Sequence, residues 1–279
     1  MHDKLALNSK HFKQYKEIAP LLLKLWKGTK VEKDDSAIIL DSLQDARLAK
    51  VFSPPQIIDA SPAPGITTFV QEIEKLGPTY IRLAQLLALR PSLLPMSYID
   101  AIPLLGQRSD ALSYLDVKAT VEKELGYSLD LAFRSMEEQP LAVSPFYQIH
   151  KAITREGTEV VVKIQKPNVK EKVVDDLEAM NEMARIYDKY SGPEEEFEIQ
   201  DALEDFRATI LAELDYRQEA HNLKTMAKYL KHLDGIIIPS PIDGLSGERI
   251  LTGHFIKGQY LNEANMVGLL KSERAKLAE

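Results

Sequence analysis

The hydrophobic pattern of the chain changes character near residue 140. Before that point, apolar residues recur three and four positions apart, which is the period of an amphipathic helix. This spacing predicts helices over residues 67–76, 78–89, 96–105 and 115–125. After that point, apolar and polar residues alternate in short runs, as they do in a half-buried strand. Such β-rich runs predict strands over residues 148–154 and 159–165, and two further short runs predict strands over residues 236–239 and 249–255.

Two long helical runs, residues 169–187 and 199–233, lie between the predicted strands. In the predicted strand 159–165, Val160 and Ile164 face one side, whereas Lys163 faces the other. A small antiparallel sheet combined with long helices is an α+β arrangement. The pattern therefore predicts an α+β fold.

Composition narrows the possible partners. Hydrophobic residues make up 44% of the chain and charged residues 28%, as in a soluble globular protein. The net charge of -7 argues against general affinity for nucleic acid, so no nucleic-acid partner is expected. The absence of cysteine excludes disulfides and thiolate zinc sites.

No apolar run reaches the roughly 18 residues that a membrane-spanning helix needs, and a cytoplasmic location is expected. Near the N-terminus, apolar residues that include Leu22 and Trp26 fall at helical spacing with lysines between them. Such a helix either packs on its own protein or lies at a membrane surface as a peripheral anchor.

Lys163 is the first candidate for chemistry. In nucleotide-binding folds of the kinase type, a strand lysine holds phosphates and is positioned by a helix glutamate. Asp215 and Glu219 are four residues apart in the predicted helix 199–233 and share a face, while Glu213 is placed to pair with Arg217. From the pattern alone, the default interpretation is a solvated strand-edge lysine beside surface carboxylates.

A second candidate lies in residues 76–95, LGPTYIRLAQLLALRPSLLP. Gly77 and Pro78 begin a new helix, on which Arg82 and Gln85 stand three apart and share a face. A cationic and an amide side chain among so many leucines are either part of an ordinary solvated surface or polar groups that the helix presents to a ligand.

Histidines give no metal signal. The six are His2, His11, His150, His221, His232 and His254. None forms a pair with a second ligand four residues away, so no metal site is expected from the spacing.

Several short segments, in order, resemble the UbiB-like (AarF-domain) atypical kinase family. Residues 76–95 resemble the family's hallmark segment, LGPTFIKLGQLLSTRPDLLP, and PLAVSPFYQIHKA at 140–152 resembles its alanine-rich loop. ELDYRQEA at 213–220 is similar to the family's Glu-x-Asp-Tyr-x-x-Glu-Ala. The resemblance covers about residues 67–261 and implies a kinase-like N-lobe with ATP and Mg²⁺ as cofactors.

The resemblance also implies roles for individual residues. Lys163 matches the phosphate-contacting lysine and Glu219 its ion-pair partner, while Arg82 replaces the hallmark lysine. The residues that match the family's nucleotide site are Arg82, Gln85, Lys163, Glu213, Asp215 and Glu219.

The departures from the family cluster where nucleotide is expected. Pro145 removes a backbone donor from the alanine-rich loop, and Tyr147 replaces a small residue with a large ring. The other departures are Ala84, Val161, Gly253 and His254. Together they predict weakened or lost nucleotide binding.

The family's catalytic loop, His-x-Asp-Pro-His-x-x-Asn, has no match in the 279 residues. The chain is therefore expected to be a truncated product, half of a split protein or a degenerate pseudokinase. The expected organisation is a helical N-terminal extension (1–66), a hallmark-helix region (67–139) and a kinase-like N-lobe (140–279) without a C-lobe.

Two functions remain open. The first is a UbiB-like atypical kinase or ATPase relative, incomplete or degenerate, that supports isoprenoid-quinone lipid metabolism. The alternative is a non-catalytic pseudokinase that binds a lipid or protein partner. The expected partners are a membrane surface or isoprenoid lipid and a separate chain that carries the C-lobe.

Overall fold

A computed structural model gives the structure of the chain. It describes residues 9–11, 14–15, 66–88, 99, 101–106, 109–190 and 199–258. The predicted N-terminal helix around Leu22 and Trp26 lies outside the described residues. Among those residues, no helix is both long and apolar enough to cross a membrane.

The described strands form one antiparallel sheet, with β3 at its centre. The strands are β1 (Phe133–Met136), β2 (Ala142–Val143), β3 (Tyr147–Thr154), β4 (Glu159–Gln165) and β5 (Ile250–His254). Their order is β1-β3-β4-β5, and β2 pairs with the same edge of β3 as β1. This sheet and the helices around it confirm the predicted α+β class.

The described α-helices surround the sheet or form a separate helical layer. They are α1 (Ile66–Leu76), α2 (Pro78–Leu87), α3 (Tyr114–Leu125), α4 (Leu129–Ala132), α5 (Val169–Tyr190), α6 (Ile199–Glu213) and α7 (Tyr216–Tyr229). Gly77 separates α1 from α2 at a positive φ of 105°, which only glycine adopts readily, and Pro78 opens α2. The hallmark helix therefore begins where the sequence predicted.

The two faces of the sheet have different neighbours. Val160, Val162 and Ile164 are fully buried in one apolar cluster together with Val117 and Val121 of α3. On the opposite face, Leu251 packs against Tyr216 and Ala220 of α7. Lys163 lies on that second face, so α7 is the helix that approaches it.

A second apolar cluster joins α1, α2, α5 and α6. Its buried members include Ile73, Ile81, Val173, Leu177 and Ile210. Because α2 contributes to this cluster, the hallmark helix is fixed to the helical layer by apolar packing.

The single helix predicted over residues 199–233 is wrong. The chain leaves helical geometry at Asp215 (φ -104°, ψ 98°), whose side chain accepts a hydrogen bond from the Arg217 N–H and caps α7. An aspartate in such an N-cap position ends one helix and begins another. The sequence periodicity misses this break because apolar residues continue at helical spacing through it.

The strand predicted over residues 236–239 is also wrong. Ile236 and Ile237 are exposed, and the chain first pairs with the sheet through an isolated bridge between Pro241 and Gly253.

Conversely, the sequence pattern did not predict strands β1 and β2. β1 follows α4 directly, and its middle residues Arg134 and Ser135 carry no strand signal.

A buried polar contact adds to the apolar attachment of α2. The Thr79 hydroxyl donates to the Asp176 carboxylate of α5 at 2.6 Å, and both residues are fully buried. Lys172 Nζ lies 3.3 Å from the same carboxylate and supplies its counter-charge. A buried carboxylate requires such partners, so this contact fixes how α2 is oriented on α5.

We expect Thr79→Val to lower the free energy of unfolding by about 1–3 kcal/mol, because it leaves a buried acceptor without its donor. Thr79→Ser should retain most of the stability. Thr209→Val, at an exposed threonine of α6, is the matched control and should change stability by less than about 0.5 kcal/mol. Urea unfolding measures all three; equal values for Thr79→Val and Thr209→Val would contradict the role given to the contact.

Candidate functional site

Lys163 and Glu219 form an ion pair between β4 and α7. The register of the sheet places Lys163 between Ile149 of β3 and Leu251 of β5, on the face that α7 approaches. Lys163 Nζ lies 2.7 Å from Glu219 Oε2. The lysine side chain is 20% exposed and the glutamate 37%, so the pair is partly shielded yet open to a ligand.

Two tyrosine rings flank the same amine. Lys163 Nζ lies 4.6 Å from the ring centroid of Tyr147 and 4.6 Å from that of Tyr216. Ring faces at this distance attract a cation. Burial raises the pKa of the Tyr216 hydroxyl, and the nearby Glu219 carboxylate raises it further, so this residue stays neutral. The amine is thus held by one carboxylate and two rings.

Arg82 of α2 pairs with the C-terminal end of α6. Its Nε donates to Glu213 Oε2 at 2.8 Å, and its Nη2 donates to the other carboxylate oxygen, which makes the contact bidentate. Gln85 Oε1 lies 3.5 Å from Arg82 Nη1. The hallmark pair and Glu213 therefore form one group, a contact between α2 and α6 that the sequence did not predict.

Asp215 has a different environment from Glu219, although both belong to one motif. Its carboxylate accepts from Arg217 Nε at 2.9 Å and from Nη2 at 2.8 Å. These hydrogen bonds lower the pKa of Asp215 below its ordinary value of 3.8. The predicted pair between Glu213 and Arg217 is therefore wrong, because the helix break directs Glu213 to Arg82 instead.

Glu248 extends this charged group towards α5. It accepts from Lys170 Nζ at 2.5 Å and lies 3.3 Å from Arg217 Nη2. The hydrogen bond from Lys170 lowers the pKa of Glu248. The sequence assigned no role to Glu248 or Tyr216, although both lie within segments that resemble the family.

The loop between β2 and β3 uses its own backbone donors. The Ser144 N–H donates to the Tyr147 carbonyl at 2.8 Å, and the Phe146 N–H donates to Ser144 Oγ at 3.3 Å. Pro145 has no N–H, and its ring packs beside Gly106, where an added Cβ would lie 2.9 Å from Pro145 Cγ. In this conformation, Ser144 and Phe146 do not offer their N–H groups to a phosphate.

The residues around Lys163 suit a phosphate better than a metal ion. Glu219, Glu213 and Asp215 each face a cationic side chain, namely Lys163, Arg82 and Arg217. Among the described residues, the one group of three potential metal ligands is instead His11, Asp175 and Glu178. No described carboxylate cluster beside Lys163 therefore fits the predicted Mg²⁺.

Comparison with known proteins identifies relatives of this chain. A family model described as ABC1 atypical kinase-like domain matches residues 104–279. Over 211 residues the chain is 28% identical to the Arabidopsis thaliana protein named Activity of BC1 Complex Kinase 7, chloroplastic, covering 75% of this chain and 30% of that protein. Over 223 residues it is 27% identical to a Xylella fastidiosa protein named probable protein kinase UbiB, covering 76% and 40%. The chain thus spans less than half the length of these relatives.

Among solved structures, the chain is similar to Rv3197 of Mycobacterium tuberculosis, determined as a complex with erythromycin. The TM-score is 0.49 and the identity 23%, covering 71% of this chain and 45% of that one.

The match to the family model includes the sheet and α5–α7, and with them Lys163, Glu213, Asp215 and Glu219. Arg82 and Gln85 precede the matched range.

The cap at Asp215 can be tested separately from any ligand. Asp215→Ala should destabilise the protein by about 0.5–2 kcal/mol, because the first turn of α7 loses its acceptor, whereas Asp215→Asn should retain most of the cap. Urea unfolding at about pH 7 measures both variants.

The pH dependence of stability tests whether the charge of the Asp215 carboxylate stabilises the folded state. The folded state lowers the pKa of Asp215, so its contribution is present above the ordinary value of 3.8 and is lost as the pH falls through the folded value. Asp215→Asn has no such titration and should lose less stability than the parent between about pH 4 and pH 2. Identical acid profiles would contradict a charge contribution from Asp215.

Proposed function

This chain belongs to the ABC1 atypical kinase-like family, and we propose from that premise that it binds the phosphates of ATP through Lys163. The observation that carries the proposal is the ion pair of 2.7 Å between Lys163 and Glu219. A strand lysine positioned by a helix carboxylate is the arrangement that holds nucleotide phosphates in kinase-type folds.

The chemistry of the amine supports this role. An ammonium group has three donors, and one of them is used by Glu219, which leaves two for phosphate oxygens. Glu219 and the ring of Tyr216 fix the position of the amine before a ligand arrives. Less side-chain entropy is then lost on binding, which favours affinity.

We assign Arg82 and Gln85 a positioning role. The bidentate contact with Glu213 orients α2 relative to the end of α6, and Asp215 begins α7, which carries Glu219. α2 and Glu219 are thus connected through one short segment, residues 213–219. In this proposal the hallmark helix sets the position of the carboxylate that orients Lys163.

The proposal is limited to binding. Transfer of a phosphoryl group also requires a base and a metal ion held by protein ligands. No His-x-Asp-Pro-His segment occurs in the 279 residues, and the described carboxylates beside Lys163 are paired with cations. The residues present therefore supply a phosphate contact, and bound ATP would supply the reacting group.

We expect ATP to stabilise the parent chain and not Lys163→Ala, because the substitution removes the proposed phosphate donor. At a concentration about 100 times the dissociation constant, one bound ligand adds about 2.7 kcal/mol to the free energy of unfolding. Differential scanning fluorimetry, with and without Mg²⁺, measures the accompanying rise in melting temperature.

Lys118→Ala is the matched control. Lys118 is a helix lysine with its own glutamate partner, Glu122, and belongs to α3, which packs on the opposite face of the sheet. It should respond to ATP as the parent does. Glu219→Gln should give a reduced shift, since it keeps the shape of the side chain and loses the charge that positions Lys163. An equal response of Lys163→Ala and Lys118→Ala would overturn the proposal.

One observation favours a second candidate function, a non-catalytic binding module for a lipid or protein partner. The loop at Ser144 and Phe146 satisfies its own donors, and the Tyr147 ring covers one side of the Lys163 amine. Both features reduce the room and the donors available for phosphates. For this candidate we infer association with isoprenoid lipid at a membrane surface, as the family resemblance implies.

Tyr147→Ala separates the two candidates. If nucleotide binds and Tyr147 restricts it, removal of the ring should increase the ATP-induced shift by exposing the amine. In the binding-module case, neither the parent nor Tyr147→Ala responds to ATP, and both co-sediment with vesicles that contain an isoprenoid quinone. Vesicle binding should then survive Lys163→Ala. An ATP shift in the parent that Tyr147→Ala does not enlarge would contradict the restricting role of the ring.

A further inference from the structure

His11 has an imidazole ring that is buried among carboxylates. The residue is 1% exposed, and neither ring nitrogen has a hydrogen-bond partner. A buried polar group without partners costs free energy, so its surroundings call for an explanation. Those surroundings belong to one face of α5, on which Asp175, Glu178 and Glu182 occupy positions three and four residues apart.

The two ring nitrogens face different carboxylates. His11 Nε2 lies 3.7 Å from Glu178 Oε2, while Nδ1 lies 3.4 Å from Glu182 Oε1. The hydroxyl of the buried Tyr15 donates to the other oxygen of Glu182 and so orients it. One carboxylate oxygen each from Asp175 and Glu178, together with one nitrogen of His11, lie within 4.8 Å of one another.

We propose that His11, Asp175 and Glu178 form a binding site for a divalent transition-metal ion such as Zn²⁺. Ligands at about 2.1 Å from a tetrahedral Zn²⁺ are about 3.4 Å apart, close to the 3.7 Å between His11 Nε2 and Glu178 Oε2. Small rotations of the partly exposed carboxylates bring three protein ligands to that spacing. A water molecule completes the coordination.

Glu182 has the position of an outer partner. A metal-ligating histidine commonly directs its second ring nitrogen towards a carboxylate, which fixes the tautomer and the ring orientation. In this site Nε2 faces the ligand Glu178, and Nδ1 faces Glu182, which Tyr15 holds in place. Imidazole and carboxylate ligands suit Zn²⁺ and related ions, whereas Mg²⁺ and Ca²⁺ prefer oxygen ligands alone.

Lys10 competes with the ion for Asp175. Its Nζ lies 2.6 Å from Asp175 Oδ1, and this hydrogen bond lowers the pKa of Asp175, which keeps the carboxylate ionised. The lysine side chain is mostly exposed and can move into solvent when an ion binds. The remaining oxygen of Asp175 is also available as a ligand.

The site would attach the N-terminal segment to α5. His11 ends a short 3₁₀-helix (Ser9–His11), and its ligand partners are on a helix that also carries Val173 and Leu177 of the cluster around α2. No ligand of this site is a residue of the Lys163 group, so the inference does not depend on nucleotide binding.

Equilibrium dialysis against Zn²⁺ tests the proposal on the full chain purified without a histidine tag. We expect about one Zn²⁺ per chain at about pH 7.5, by elemental analysis, together with a rise in melting temperature. His11→Asn and Glu178→Gln should each weaken binding by more than about 100-fold, and the outer-partner variant Glu182→Gln by about 10–100-fold. Lys10→Gln should bind more tightly, because the competing cation is gone.

Glu178→Gln keeps the test valid if His11→Asn fails to fold, because Glu178 is about half exposed. His221→Asn, at an exposed histidine of α7, is the matched control and should bind Zn²⁺ as the parent does. Equal zinc content in the parent, Glu178→Gln and His221→Asn would overturn the proposal. So would a parent chain that binds no Zn²⁺.

Discussion

The break in helical geometry at Asp215 is the constraint on which the candidate site depends. Hydrogen bonds hold this break on both sides: the side-chain amide of Gln165 in β4 donates to the Leu214 carbonyl at 2.9 Å, and the Tyr216 N–H donates to the carbonyl of Glu248, which lies just before β5, at 3.0 Å. A continuous helix would satisfy those backbone groups internally and would place Glu213 and Glu219 on one rod. Because the chain turns here, Glu213 meets α2 and Glu219 meets β4.

The energies of the two ion pairs, Arg82–Glu213 and Lys163–Glu219, indicate what each pair contributes to the structure. An ion pair with partial exposure contributes about 0–1 kcal/mol, which is too little to hold a helix in place. Burying one isoleucine side chain such as Ile81 contributes about 1.5–3 kcal/mol, and Tyr80 and Ala84 are buried beside it. Apolar packing therefore attaches α2, and the contact between Arg82 and Glu213 selects its orientation. The same reasoning applies to Lys163, whose pair with Glu219 fixes geometry more than it adds stability.

Much of the fold was predictable because its signals are local. The alternation in 159–165 gave β4 its residues and the orientation of Lys163, and Gly77-Pro78 gave the start of α2. The break at Asp215 was not predictable, since it depends on the Gln165 side chain of β4 and on the carbonyl of Glu248, two residues before β5. The isoleucines at 236 and 237 misled for the same reason: strand propensity has no effect without a neighbouring strand to pair with.

The candidate site shows the same division between local and tertiary information. The resemblance selected Lys163 and Glu219, which the structure brings together, and it grouped Asp215 with Glu213. The structure separates that second pair: one carboxylate faces Arg82 and the other caps α7. The tyrosine rings beside Lys163 come from two distant segments, Tyr147 and Tyr216. Spacing along the sequence therefore does not reveal that both rings contact the Lys163 amine.

Helix α5 shows how one element serves two contacts through consecutive residues. Asp175 is partly exposed and pairs with Lys10, whereas Asp176 is fully buried and accepts from Thr79. Successive positions on a helix are rotated by about 100°, so these two carboxylates point to different neighbours. One faces the N-terminal segment and the other faces the hallmark helix. A substitution at either residue should therefore disturb its own contact and leave the other contact in place. The helix that carries both residues is rigid and does not need to rearrange.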